Sequence, residues 1–209
     1  AAGRMRVRDR IEGVELAAHS PARGPKDGLL VVIWADLSHP QVPHVQSVME
    51  EMLLRFGERL QWGFRHLPQD QACNALTPVT RNSKACTLAR AAQCAGDSFW
   101  EFFKLLAKNP DRQDELSLRQ MLGLIGLSES EASDCLQSEE VERAIAEDVE
   151  AADALGLGVG SRIVVDGVAL PLGINLLGLD ATIRAGLGEL EPDDQGRVEA
   201  RRFAPLAAK

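Results

Sequence analysis

No two of the four cysteines, Cys73, Cys86, Cys94 and Cys135, lie two residues apart, and the four histidines, His19, His39, His44 and His66, form no close pair. Zinc sites are built from close Cys or His pairs, so no metal is expected, and no cofactor motif is present either. Basic charge is also scarce. The net charge of −8 argues against a nucleic-acid partner, because phosphate binding needs a basic stripe. What basic residues there are cluster at the ends, Arg4, Arg6, Arg8 and Arg10, then Arg197, Arg201 and Arg202, and read as linkers. The longest apolar run, Leu29 to Ala35, is far short of the roughly 18–20 residues that span a bilayer. The opening Ala-Ala-Gly-Arg-Met has no signal-peptide pattern and reads as an interior cut.

What is present is enough apolar residue (45 %) in 209 residues to bury a core of one domain with an elaboration. Residues 1–12 read as a linker and Val14 to Ala17 as a short strand. Pro21 to Gly28 is rich in chain breakers and reads as a turn. Leu29 to Trp34 is a continuous, β-branched run, as in a strand buried on both faces. Val42, Val45, Val48, Met49, Met52, Leu53 and Phe56 recur at helical spacing, with Pro40 or Pro43 in the first turn and Gly57 ending the helix. Leu60 to Leu67 alternates as a second strand, so the pattern is β-α-β with a parallel pair.

Residues 68–82 read as loop and 83–155 as a helical block, with pieces near 83–95, 97–108, 115–125, 129–136 and 138–155. Ser128 to Glu131 is a capping-box pattern. Phe99, Trp100, Phe102, Phe103 and Leu106 read as the aromatic core of that block rather than a cofactor platform. After the break Gly156 to Gly160, two short strands, Arg162 to Val165 and Val168 to Leu170, flank an Asp166-Gly167 turn. A helix near 175–187 and a charged tail, 189–209, complete the chain. The order specifies an α/β thioredoxin layout with a helical insertion.

In that order the chain resembles the DsbA-like thioredoxin family. The resemblance rests on Arg23-Gly-Pro-Lys-Asp-Gly28 before the apolar strand, Asp36-Leu37 at its end, and Phe64-Arg-His-Leu-Pro68. It continues through Cys73-Asn74, Ala85-Cys86, Cys94-Ala95, Phe99-Trp100 and Cys135-Leu136, then strand-Asp-Gly-strand, and spans residues 13–188. It implies a thiol-disulfide oxidoreductase scaffold with a central mixed sheet, from an extracytoplasmic, periplasmic or secreted bacterial protein. The departures fall in the site the family uses. Cys-Pro-x-Cys is replaced by His39-Pro40-Gln41-Val42, so the nucleophilic thiolate and its resolving partner are both missing. The family's cis-proline position falls on Ser161, or Arg162 one residue on, and the acidic residue beneath the site is replaced by Ile33. Redox-inactivity at this site and a role in binding a peptide, an unfolded client or a neighbouring domain are the resulting expectations, with no catalytic residue assigned.

Several alternatives stand beside that reading. His39, with Ser38 before it and His44 five residues on, has the residue type of a general base, but no carboxylate or thiol follows locally to complete a triad. Ser38 lies one residue early for the serine of kappa-type glutathione transferases. Sequence alone permits three cysteine pairings. The resemblance implies structural bridges Cys73–Cys86 and Cys94–Cys135; the first would contribute roughly 2–3 kcal/mol by loop entropy. A relocated redox pair at Cys73 and Cys86 is the rival. No evident helix start activates either thiol, and Arg81 and Lys84 are the only basic residues nearby.

Overall fold

The computed structural model describes residues 10–190. The ends of the chain, including Arg4, Arg6, Arg8, Arg197, Arg201 and Arg202, lie outside the described residues. The Leu29–Ala35 strand (β2) sits at the centre of a five-stranded sheet, with two strands on either side. It runs parallel to β3 (Leu60–His66), through the crossover helix α1 (Val42–Phe56), and antiparallel to β4 (Arg162–Val165). β5 (Val168–Pro171) closes one edge. The turn between β4 and β5 has positive φ at both Asp166 and Gly167, 47° and 78°, the two-residue hairpin geometry that Asp-Gly favours.

One expectation fails here. Val14 to Ala17 forms no strand; the first strand, β1, is Ala22–Arg23, inside the segment expected to be a turn, and pairs antiparallel with β3. The reason is the side chain of Leu16. It lies flat on the bare Cα of Gly63, where any Cβ would collide with it. The segment therefore crosses the sheet as a cover instead of joining its edge. Ile11 and Val14 join Leu16 on that face, and the Ile11 amide donates to the Gly167 carbonyl at 2.7 Å.

Helices α2 (Ala85–Cys94), α3 (Phe99–Lys108), α4 (Glu115–Leu124), α5 (Glu129–Leu136) and α6 (Glu139–Ala154) make the inserted block, and α7 (Leu176–Gly186) returns to the sheet. Their starts follow the sequence. Asp114, Ser128, Ser138 and Asn175 each cap a helix by accepting a backbone N–H, and Ser128 with Glu131 completes the capping box. Alternation along β2 divides the core. Val31, Ile33 and Ala35 face α1, α3 and α7, while Val32 and Trp34 face α6 and the 11–16 cover. Phe64, Phe99 and Phe103 pack together in the first layer, with ring centroids 4.8 to 6.1 Å apart.

The second layer holds a buried charge. Asp148 falls on the apolar stripe of α6 with Val141, Ala144, Ile145, Val149 and Ala152. Its carboxylate accepts from Arg65 Nε at 2.6 Å and from the His66 amide at 2.7 Å, and is bonded to His19 Nε2 at 3.0 Å. The Arg65 guanidinium lies over the Trp34 ring at 5.2 Å. Burial pushes the Asp148 carboxyl up, but the His19 bond and the His66 and Arg65 charges outweigh it and hold it below its ordinary value. The Asp148 bond, with the charges of Asp148 and Glu147, raises His19. Burial lowers His66.

Two outcomes follow. Asp148→Ala strands the Arg65 charge and should cost about 3–5 kcal/mol in urea unfolding. The pH dependence has a definite sign. The raised His19 contributes stability fully below pH ~6.5, lost as pH rises through its folded value. Scanning calorimetry should show that Tm decline in the wild type and its loss in His19→Gln. An unchanged decline in the variant would assign it to another group.

Candidate functional site

The carboxyl end of β2 is where three segments meet. Asp36, buried to 3 % exposure, accepts from the Ser38 amide at 2.7 Å and from the Gln69 amide at 2.9 Å. Its carbonyl accepts from the His39 amide at 3.0 Å. Its own amide donates to Ser161 Oγ at 3.0 Å. One residue thus ties the approach to α1, the loop after β3 and the start of β4.

His39, Pro40, Gln41 and Val42 lie on that approach. α1 begins at Val42, Gln41 is its cap residue, and Pro43 occupies the first turn. No side chain caps the helix and no acidic residue stands in its first turn. The Gln41 amide instead donates to His39 Nδ1 at 3.2 Å, which requires that nitrogen to be unprotonated. Burial, with help from the Arg81 charge and against that of Asp36, lowers His39 from its ordinary value. The imidazole is therefore neutral at pH 7, with one nitrogen already engaged. The Gln41 side chain lies on Gly173, where a Cβ would collide with its amide. His44 Nε2 bonds to the Ile174 carbonyl at 3.0 Å. The β5–α7 connection is so strapped to the helix start.

Ser161, 5 % exposed, stands immediately before β4 with its hydroxyl spent on Asp36, and Arg162 Nη1 donates to its carbonyl at 3.0 Å. Ile33 is fully buried below. No thiol approaches this cluster among the described residues, because all four cysteines are disulfide-bonded, Cys73 to Cys86 and Cys94 to Cys135. What the helix start offers is a neutral imidazole, a primary amide and exposed Pro40, with no thiol among them. Its first backbone amides are already bonded, Gln41 to His39 Nδ1, Val42 to the His39 carbonyl and Val45 to the Gln41 carbonyl.

The Cys73–Cys86 bridge closes the neighbouring loop. Asp70 organises that loop: its carboxylate accepts from the Ala72 amide and the Thr80 hydroxyl, both at 3.1 Å, and its carbonyl accepts from the Asn74 amide at 3.0 Å. Asn74, 1 % exposed, donates to the Pro68 carbonyl at 2.7 Å. α2 begins at Ala85 rather than near residue 83, with Lys84 as its cap residue. Cys86 is thus the second residue of α2. Cys94 is the last residue of the same helix, and Cys135 the penultimate residue of α5. The bridges span sequence separations of 13 and 41, contributing about 3 and about 4 kcal/mol in the loop-entropy description.

Two features escaped the sequence. Asp36 was visible only as half of an Asp-Leu pair, not as the residue that joins the site. Gly173, which seats Gln41, carried no signal beyond being a glycine after Pro171-Leu172.

No protein-family model matches the sequence, and no curated protein matches it. Solved structures do. The chain superposes on BdbD from Bacillus subtilis at TM-score 0.68 and 17 % identity, over 86 % of this chain and 99 % of that one. A thioredoxin-like oxidoreductase from Silicibacter pomeroyi gives TM-score 0.67 and 18 % identity over 82 % and 94 %. A variant of α-DsbA1 from Wolbachia pipientis gives 0.68 and 15 % over 83 % and 94 %. The fold is thus the DsbA-like thioredoxin fold, a mixed five-stranded sheet with the helical insertion.

Asp36→Ala removes the acceptor of two backbone amides and should cost about 2–4 kcal/mol. Hydrogen exchange should speed up at Ser38 and Gln69 together. Faster exchange at only one of them would contradict the joining role.

Proposed function

On a DsbA-like thioredoxin fold whose helix start holds His39-Pro40-Gln41-Val42, we propose that the chain is a peptide- or protein-binding module without thiol chemistry at that site. The observation that carries this reading is the engagement of the helix start by its own neighbours. Gln41 lies on Gly173, His39 Nδ1 accepts from the Gln41 amide, and the Ser161 hydroxyl accepts from Asp36. Each would have to be displaced before a thiolate could stand there, whereas Pro40 and Gln41 are exposed to an incoming chain. The partner is an extended peptide, an unfolded client or an adjoining domain.

The compartment belongs to the same proposal. Two closed disulfides in a chain of this size fit an oxidising environment, and a superposable Salmonella enterica structure is named as a periplasmic thioredoxin-like protein, at TM-score 0.62 and 16 % identity. None of the helices among the described residues is long and apolar enough to cross a membrane.

The test uses the oxidised chain and a permanently unfolded probe, reduced carboxymethylated α-lactalbumin, in isothermal titration. Binding is expected, weakened at least about fivefold (roughly 1 kcal/mol) by Gln41→Glu or His39→Glu. Gln41 is exposed and His39 half-buried, and neither belongs to the core clusters. Absence of binding, or binding untouched by both variants, would overturn the proposal.

A further inference from the structure

α2 carries one cysteine of each bridge at opposite ends. Cys86 is its second residue and Cys94 its last. A helix N-terminus presents unbonded N–H groups and the positive end of the dipole, and the C-terminus the reverse. The same helix therefore favours a thiolate at Cys86 and disfavours one at Cys94. Cys135, the penultimate residue of α5, is disfavoured in the same sense. No acidic residue stands in the first turn of α2, and Lys84 is its cap residue. Access differs within the first bridge: Cys86 is 8 % exposed, and Cys73 is half-buried on the loop. Its span is also the shorter, 13 residues against 41, so the unfolded chain is constrained less by it.

From this asymmetry we propose that Cys73–Cys86 is an exchangeable disulfide, an oxidant for external dithiols at a site separate from the helix start, and that Cys94–Cys135 is the structural bridge. A thiolate of the donor attacks Cys73 Sγ. The Cys73–Cys86 bond breaks, and its electron pair leaves on Cys86 Sγ, the sulfur at the helix N-terminus. The donor's second thiolate then attacks its own sulfur in the mixed disulfide and releases Cys73 as a thiolate. The donor loses two electrons and two protons and becomes a disulfide; the bridge gains the two electrons. One proton returns to Cys73, whose S–H then has the Asp70 carbonyl, 3.9 Å from both sulfurs, as acceptor; the other goes to solvent and Cys86 stays a thiolate. The donor class is a dithiol, either a peptide with two cysteines or a small-molecule dithiol.

Exchange has a structural consequence at the helix start. The loop that Cys73–Cys86 closes carries Arg81, whose charge acts on His39 and whose amide donates at 2.9 Å to the carbonyl of Gln69, the residue just before the loop whose own amide donates to Asp36. Opening the bridge frees that loop on one side of the proposed binding site.

The test is a redox titration of the intact oxidised chain in graded dithiothreitol, quenched by alkylation and read peptide by peptide in a mass spectrometer. Cys73 and Cys86 should become alkylated at a reductant ratio at least tenfold lower than Cys94 and Cys135, with the circular dichroism of the folded chain unchanged. Simultaneous opening of both bridges, or opening of Cys94–Cys135 first, would overturn the proposal. A second measurement needs only one variant. In Cys73→Ala, alkylation of Cys86 should show a midpoint pH below the roughly 8.5 of an ordinary thiol; a midpoint at or above it contradicts the leaving-group role. Exchange is read from the Cys73 and Cys86 peptides with no peptide ligand present, and binding from the titration of the oxidised chain, so failure of one is distinguishable from failure of the other.

Discussion

The Asp36 carboxylate is the constraint on which this end of the molecule depends. A carboxylate buried at the end of a central strand must have its lone pairs filled. Here the fillers are backbone amides from two different connections, Ser38 before α1 and Gln69 after β3, while Ser161 Oγ before β4 takes the Asp36 amide. Three chain segments distant in sequence are thereby fixed to one residue. The position of His39, the start of α1 and the course of the loop toward Cys73 all follow from that anchoring. The Asp148 cluster does the equivalent work on the opposite face, pinning the 11–19 cover and α6 to β3 through His19 and Arg65.

With the scaffold held in this way, His39, Pro40, Gln41 and Val42 stand at the start of α1, and no cysteine does. A redox site needs a sulfur beneath a positive helix end and a second sulfur within reach. The start of α1 keeps the positive helix end and has filled its surroundings with an imidazole, an amide and a hydroxyl. The start of α2 has both elements, in Cys86 and Cys73. The Gln69 amide bond to Asp36 and the Arg81 amide bond to the Gln69 carbonyl link the two helix starts.

Much of this was legible in the sequence. Leu29 to Ala35 is continuously apolar, so a two-faced central strand was its only comfortable state. Asp166-Gly167 fixed the hairpin by φ alone, and Ser128 with Glu131 fixed a helix start. What escaped was non-local. Four residues from Val14 to Ala17 cannot state whether they lie in a sheet or across it; the bare Cα of Gly63 beneath Leu16 decided that. Asp148 did leave a signal, a charge placed on the apolar stripe of α6, but its partners His19 and Arg65 lie far off in the chain. At the site, the residues His39 to Val42 and Ser161 were readable by position. Their contacts with Gly173 and Asp36 were not, because each depends on loops that meet only in the folded chain.

Where a bound peptide lies on the surface tests the proposed binding site most directly. Backbone amide chemical shifts of the oxidised chain, followed as unfolded reduced carboxymethylated α-lactalbumin peptides are added, measure this directly. Shifts are expected to concentrate at Ser38, His39, Gln41, Ser161 and Gly173, with the α4–α5 face unmoved. Shifts confined to another face, or none at these residues at saturating peptide, would contradict it.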